Sequence, residues 1–307
     1  MSAQFDIVGF GICTVDFLGL VAEYPEASQK VQMQAFSRQG GGLTGTALGA
    51  AAKLGANVAY LGKLGYDEHS RFLLDEFRKD GVDVQHTIRQ HGTQPPLSFI
   101  HVQKCSGDRR ITWFWKPFEL KAVELNRSLV DNSRILFLDH FFIQAGIQAA
   151  QWIHTSGGCV VVDVERAEAD FEDILRTADF IIASHKFALE QTGENDPEMG
   201  AKLLRQKYGG VVVVTAGERG AFCSSSSSSM YQPAFQVPVV DTTGAGDVFH
   251  GAFMAGLSRG WPLDKVLEFA SAVAALKCRG LGGRAMIPNL PEALAFLKDR
   301  GNSTRWL

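Results

Sequence analysis

Apolar residues along this chain fall into short unbroken runs, separated by longer stretches in which they recur every three or four positions. Residues 5–11 predict a buried strand ending in glycine, and 58–61, 135–138, 159–164, 180–182 and 211–215 predict further strands. Val160-Val161-Val162 and Val211-Val212-Val213-Val214 are continuous rather than alternating, which is the pattern of parallel strands covered on both faces. Helical patterns lie between these runs. Residues 44–54 are alanine-rich and stop at Gly55. Residues 67–80 set Phe72, Leu73 and Phe77 on a charged background and stop at Gly81, an amphipathic helix. This alternation predicts a doubly wound α/β fold with a mostly parallel central sheet.

Two segments break the alternation. Residues 31–38 and 97–115 have strand character without an intervening helix, and the second predicts a hairpin around Cys105-Ser106-Gly107-Asp108. Together they predict a small β-sheet lid, drawn from about 14–39 and 93–118, on a single domain spanning 1–307. The serine run at 224–229 predicts an exposed loop. Trp113, Phe114 and Trp115 cluster on the lid, where packing, a dimer contact and a wall of a substrate pocket are equally open readings.

Composition narrows the class. A net charge of −3 from 30 basic and 33 acidic residues, with no basic block, argues against nucleic acid and anionic membrane surfaces as partners. The five cysteines are scattered without a C-x-x-C, which argues against a disulfide framework or zinc site and for a reducing, cytoplasmic setting. No Lys or Arg precedes Lys30, and Asp6 and Asp16 interrupt the first apolar run, so neither a signal peptide nor a membrane span is expected there.

The chemistry concentrates in Asp241-Thr242-Thr243-Gly244-Ala245-Gly246-Asp247, which runs into the apolar, helix-like Val248-Phe249-His250-Gly251-Ala252-Phe253. A helix start offers unpaired N–H groups and a positive dipole end, and glycines let that backbone approach an anion closely. Capping explains one acidic residue but not two aspartates bracketing Thr-Thr-Gly-Ala-Gly. An aspartate beside an anion nest makes sense as a proton acceptor while a phosphoryl group passes. Gly40-Gly41-Gly42-Leu43-Thr44-Gly45 matches G-x-G-x-x-G, but the acidic residue of a dinucleotide site is missing about twenty positions on. A turn where backbone approaches a polyhydroxylated ligand is the better reading. A P-loop, His-Glu-x-x-His and Gly-x-Ser-x-Gly are all missing from the sequence.

Residues 241–253 closely resemble the C-terminal signature of the ribokinase-like (PfkB) carbohydrate kinases. Gly41-Gly42, the alanine-rich helix, Leu54-Gly55 and Gly62-Lys63-Leu64-Gly65-Tyr66-Asp67 resemble the N-terminal signature. Residues 9–16 resemble the first strand with its sugar-binding aspartate, and 214–221 the nucleotide-side turn. The likeness runs through nearly the whole chain in order. It implies that Asp247 is the catalytic base and that Gly244, Ala245 and Gly246 form the anion hole for the γ-phosphoryl group. Asp16, Gly41, Gly42 and Thr46 match sugar-contact positions. Thr215, Gly217 and Gly220 match the ATP-side loop, with Ala274 and Cys278 against adenine. ATP and Mg2+ are the implied cofactors, a K+ ion near Asp241 and Thr243 is found in some relatives, and the lid often pairs two subunits into a homodimer.

The sequence also departs from the family pattern. Where many members carry Asn-x-x-Glu, this chain has Ser184-His185-Lys186-Phe187, which leaves magnesium to waters, ATP oxygens and Asp163 or Glu165. That departure, Thr46 in place of asparagine, and Ala274-Ala275-Leu276-Lys277-Cys278 with Gly282-Gly283-Arg284 resemble the ketohexokinase and sulfofructose kinase branches. Leu138-Asp139-His140-Phe141-Phe142 offers no arginine for a sulfonate, which speaks against a sulfosugar. The expected activity is ATP-dependent phosphorylation of a hydroxyl on a fructose-like ketose or furanose. Ribose or a nucleoside is the alternative acceptor, and a catalytically weak sugar- or nucleotide-binding sensor is the alternative class.

Overall fold

The computed structural model describes residues 4–166 and 171–302. In chain order the strands are β1 (Phe5–Phe10), β2 (Thr14–Val21), β3 (Ala35–Gly41), β4 (Val58–Leu61), β5 (Lys63–Leu64), β6 (Ile88–Arg89) and β7 (Leu97–Gln103). They continue as β8 (Arg109–Phe114), β9 (Ser133–Leu138), β10 (Cys159–Val164), β11 (Phe180–Ser184), β12 (Val211–Thr215), β13 (Ala221–Ser224) and β14 (Ser229–Gln232). The helices are α1 (Leu43–Lys53), α2 (Glu68–Asp80), α3 (Arg127–Asp131), α4 (Ile143–Ser156) and α5 (Phe171–Leu175). After them come α6 (His185–Thr192), α7 (Pro197–Tyr208), α8 (Ala245–Ser258), α9 (Leu263–Lys277) and α10 (Leu290–Asp299).

The main sheet has the order β14-β13-β12-β11-β10-β9-β1-β4. Its strands from β4 to β12 are parallel, and β13 and β14 close one edge antiparallel, with the serine run as their hairpin turn. The continuous valine runs have the physical origin their pattern implies. Val161, Ile182 and Val213 join one core with α1, α2, α8, α9 and α10, whereas Val160, Val162, Ile181, Val212 and Val214 join a second core with α3 to α7. Successive side chains point to opposite faces of a strand, and here both faces are covered by helices.

A separate four-stranded sheet, ordered β3-β2-β7-β8, stands beside the main one. The 31–38 expectation shifts: β3 begins at Ala35 and carries on through Gly40 and Gly41, because antiparallel pairing with β2 runs from Leu20↔Ala35 to Thr14↔Gly41. The two glycines lie within a strand there, and the turn into α1 comes at Gly42, whose φ is 83°. The 97–115 hairpin forms as β7 and β8. Helix α2 is capped as its sequence predicts, with Asp67 accepting from the amides of His69 and Ser70 at 2.9 and 3.1 Å and Gly81 ending it at φ 88°. Helix α8 packs closely on α1, since a Cβ on Gly251 would strike the Ala47 carbonyl and lie 2.7 Å from the Ala50 methyl. Among the described residues no helix is long and apolar enough to cross a membrane.

Candidate active site

The carboxyl ends of β1, β9, β10 and β11 all open on one cavity of about 410 Å3, contributing Ile12, Phe141, Glu165 with Arg166, and Ser184. Parallel sheets bind ligands in such crevices because loops and helix starts converge there. The small sheet forms the opposite wall through Thr14, Asp16, Ser98, Ile100, Arg109 and Trp113. The start of α8 supplies the floor as Thr243, Gly244, Ala245, Gly246 and Asp247.

That helix start is shaped for an anion. Gly244 is the N-cap at φ 73°, a left-handed backbone that favours glycine, and it offers no side chain to the first-turn amides. A Cβ at Gly244 would come 2.8 Å from Gly283 Cα, so the loop after α9 presses directly on this turn. At Gly246 a Cβ would meet nothing within 4 Å, leaving open space in front of the helix end.

Asp247 stands in the first turn of α8 with its side chain partly open to the cavity. Burial pushes its pKa well up, and Glu165 and Asp16 push the same way, while Arg109 and Lys277 pull it down. Across the cavity Asp16 is buried on β2, accepts from Thr14 Oγ1 at 2.6 Å, and has its pKa raised by burial. Gly41 must be small there, because a Cβ would collide with the Asp16 carboxylate. Gly42 and Leu43 line the cavity next to it. Thr46 is fully buried next to Gly244 and Gly283, outside the cavity lining.

The proposed metal residues separate. Glu165 faces the cavity. Asp163 lies behind Asp247, with Oδ1 3.3 Å from His250 Nε2 and Oδ2 without a hydrogen-bond partner. Asp163, Asp247 and His250 could bring ligand atoms within 4.8 Å of one another. That set includes an imidazole, however, and Mg2+ prefers oxygen donors and keeps several waters, which a buried site refuses. Burial drops the His250 pKa to about 4 and raises that of Asp163 well above the usual range. A neutral ring has one N–H for two carbonyls, and the 2.7 Å contact from Nδ1 to Gly246 O suits it better than the 3.3 Å contact from Nε2 to Ile182 O, which leaves Nε2 facing the Asp163 carboxyl as an acceptor.

The residues matched to ATP lie outside the cavity lining. Thr215 ends β12 with its hydroxyl donating to Ala183 O at 3.3 Å, and Gly217 and Gly220 shape the turn into β13 at φ 58° and 90°. Cys278 caps α9, donates through Sγ to Ala274 O at 3.2 Å, and through its carbonyl accepts from the amides of Val240 and Asp241. Residues 138–142 hold no guanidinium, yet β8 and the end of β10 bring two to the cavity, Arg109 and Arg166, which the sequence pattern does not mark as site residues. Arg109 Nη1 donates to Thr242 Oγ1 at 2.8 Å, tying the small sheet to the loop before α8. The only available signal was the Arg109-Arg110 pair just after the hairpin turn. Asp139, which accepts from Ile12 N at 2.7 Å and Thr44 Oγ1 at 2.8 Å, locks the end of β9 to the start of α1.

The sequence profile of the pfkB family carbohydrate kinases matches residues 4–290. The chain is 29% identical over 259 residues to a ribokinase of Haemophilus influenzae, covering 81% of this chain and 84% of that one. It is 27% identical over 322 residues to fructokinase-1 of Oryza sativa subsp. japonica, covering 95% and 96%. The crystal structure of ribokinase from Thermotoga maritima superposes with a TM-score of 0.81 at 27% identity, covering 96% of this chain and 99% of that one.

Proposed function

The chain belongs to the PfkB family of carbohydrate kinases, and from that premise we propose that it transfers the γ-phosphoryl group of ATP to a hydroxyl of a fructose-like ketose or furanose, with Asp247 as the base. The observation that carries this reading is the meeting of Asp247, the open helix start at Gly244–Gly246 and Asp16 in one cavity. Asp16 and the backbone at Gly42 hold sugar hydroxyls, which leaves one hydroxyl directed at Asp247. The raised pKa of Asp247 makes it a stronger proton acceptor than an ordinary carboxylate, which suits removal of a proton from an alcohol. The first-turn amides of α8 receive the charge on the transferring group, and Arg109 adds a guanidinium from the small sheet.

Glu165 supplies oxygen donors on the phosphate side and fits Mg2+ together with waters and ATP oxygens. When bound, Mg2+ neutralises phosphate charge. Asp163 does not fit that role, since it faces His250. Thr215, Gly217, Gly220, Ala274 and Cys278 remain our proposal for the nucleotide side, supported by the bare, open turn at Gly217. The small sheet acts as a lid that excludes water. Its exposed Phe36, Phe99 and Phe114, on the face turned away from the cavity, support a homodimer contact through the same sheet. A nucleoside acceptor is the second reading, favoured by Trp113 on the cavity wall, where it could stack a base.

The test is ADP release from Mg-ATP with the purified protein against a panel of ketoses, furanoses and nucleosides. Release that depends on one ketose or furanose supports the first reading, and release that depends on a nucleoside moves the assignment to the second. Ligand-dependent thermal stabilisation without any ADP release would replace both with a binding protein.

A further inference from the structure

A lysine lies under the anion-facing loop, in a place where lysines are seldom found. Lys277 ends α9 with 0% of its surface exposed, and its Nζ donates to the main-chain oxygen of Asp241 at 2.9 Å. Lysine is almost never fully buried unless paired, and an apolar side chain would fill the same space without desolvating a charge. Asp241 is equally buried. Burial lowers the Lys277 pKa, and the Asp241 carboxylate opposes that shift first among its neighbours, so the charged form has a local partner.

The rest of Asp241 is already used. Its Oδ1 accepts from Thr243 N at 2.8 Å and from Thr243 Oγ1 at 2.7 Å, and its Oδ2 accepts from Gly282 N at 2.7 Å. The Val240 and Asp241 amides donate to Cys278 O at 2.8 and 3.2 Å. Segment 240–244 and the turn after α9 are thus laced around a single ammonium group. A K+ ion near Asp241 and Thr243 would need these same oxygens. The Asp241 carbonyl already accepts from the ammonium, Oδ1 accepts from two donors, Oδ2 accepts from Gly282 N, and the Thr243 hydroxyl points its proton at Asp241, so an ion there would share or displace a donor at every oxygen. A second cation would also be repelled by the ammonium. The donor set does not fit a bound monovalent ion.

We infer that Lys277 is a built-in replacement for a monovalent cation: its ammonium holds the Asp241 carbonyl and so positions the Thr243–Gly244 turn that faces the phosphate, and the protein needs no K+. Lys277 is a positioning residue, acting through Asp241 and the turn. The phosphate-facing role rests on the kinase reading above. The cation replacement does not, and it is measurable without turnover.

The experiment compares the parent, Lys277→Met and Lys277→Ala in KCl, NaCl and choline chloride at equal ionic strength, by thermal unfolding and by ADP release. The parent should give one unfolding midpoint and one turnover rate in all three salts. Lys277→Ala opens the space the ammonium filled, so its midpoint should rise selectively in KCl. Its turnover, roughly tenfold or more below the parent in choline chloride, should recover in part with K+. Lys277→Met fills the space without charge and should stay impaired in every salt. A parent whose midpoint or turnover is raised by KCl over choline chloride would overturn the inference, as would Lys277→Met with parental turnover or a Lys277→Ala defect relieved equally by all three salts. Should neither variant fold, the parent's salt response still decides. Should no sugar be phosphorylated, the thermal measurements stand by themselves.

Discussion

Replacing Asp247 with asparagine should make this protein slower and more stable at once. Two effects on the carboxylate compete. The start of α8 favours a negative charge by about 0.3–1 kcal/mol, and up to ~2 kcal/mol in partly buried helix ends. Against that, taking an unpaired carboxylate out of water costs several kcal/mol, and Glu165 and Asp16 add like-charge repulsion. Asp247 opens in part to the cavity, and solvent there screens some of the cost. The upward direction of its pKa shows that the unfavourable effects win. A carboxyl whose folded-state pKa is raised contributes stability that is fully present below its unfolded value of ~3.9 and is lost as pH rises through the folded value. The asparagine is neutral throughout, so its advantage grows with pH above ~4. A net gain of at least about 1 kcal/mol at pH 8 corresponds to about 2 °C in Tm for a chain of this size. Turnover should fall ~10²–10⁴-fold with loss of the base. Scanning calorimetry from pH 5 to pH 8 measures the first effect, and coupled ADP release measures the second. A variant less stable than the parent at pH 8 would refute the electrostatic reasoning. Turnover within tenfold of the parent would remove Asp247 from its assigned role.

Gly244→Ala should lose roughly 1–3 kcal/mol of stability, because the residue needs φ 73° and its Cβ would press on Gly283 Cα at 2.8 Å. Thermal unfolding would register that loss, with kcat falling because the amides move. Arg109→Gln removes the group that most lowers the Asp247 pKa, so the acidic limb of kcat/KM against pH should move to higher pH, and an unmoved limb would detach Arg109 from the site. Between about pH 4 and 6.5 two buried histidines, His140 and His250, each pushed down to about 4, gain stability with pH, while Asp139, raised to about 7, Asp163 and Asp247 lose it. Above ~6.5 the histidine contribution is complete, so Tm should fall from pH 6.5 to pH 8, and a flat or rising profile would contradict the carboxylate assignments.

Periodicity is a local property, so the sequence by itself determined what local forces control. The unbroken valine runs identify buried parallel strands, Asp67 and Gly81 delimit α2, and Gly244 to Asp247 stand out as a helix start able to take an anion. The main sheet, its helices and the hairpin of the small sheet follow from such signals. Even so, β3 extends through Gly40 and Gly41 because of its partner strand, which no local pattern reveals. Periodicity and composition marked the candidate site as isolated residues, and only the family resemblance implied that they meet. Asp16 and Asp247 come from opposite ends of the chain and meet only because the small sheet stands against the carboxyl ends of the parallel strands. Arg109 reaches Thr242 across 133 positions, and Lys277 is one residue of a branch-like helix end until α9 buries it beneath Asp241. Charge, burial and hydrogen bonding depend on what surrounds a group in space. Which carboxyl is forced toward neutrality, which lysine stands where an ion would stand, and which arginine joins the site were therefore decided by tertiary structure alone.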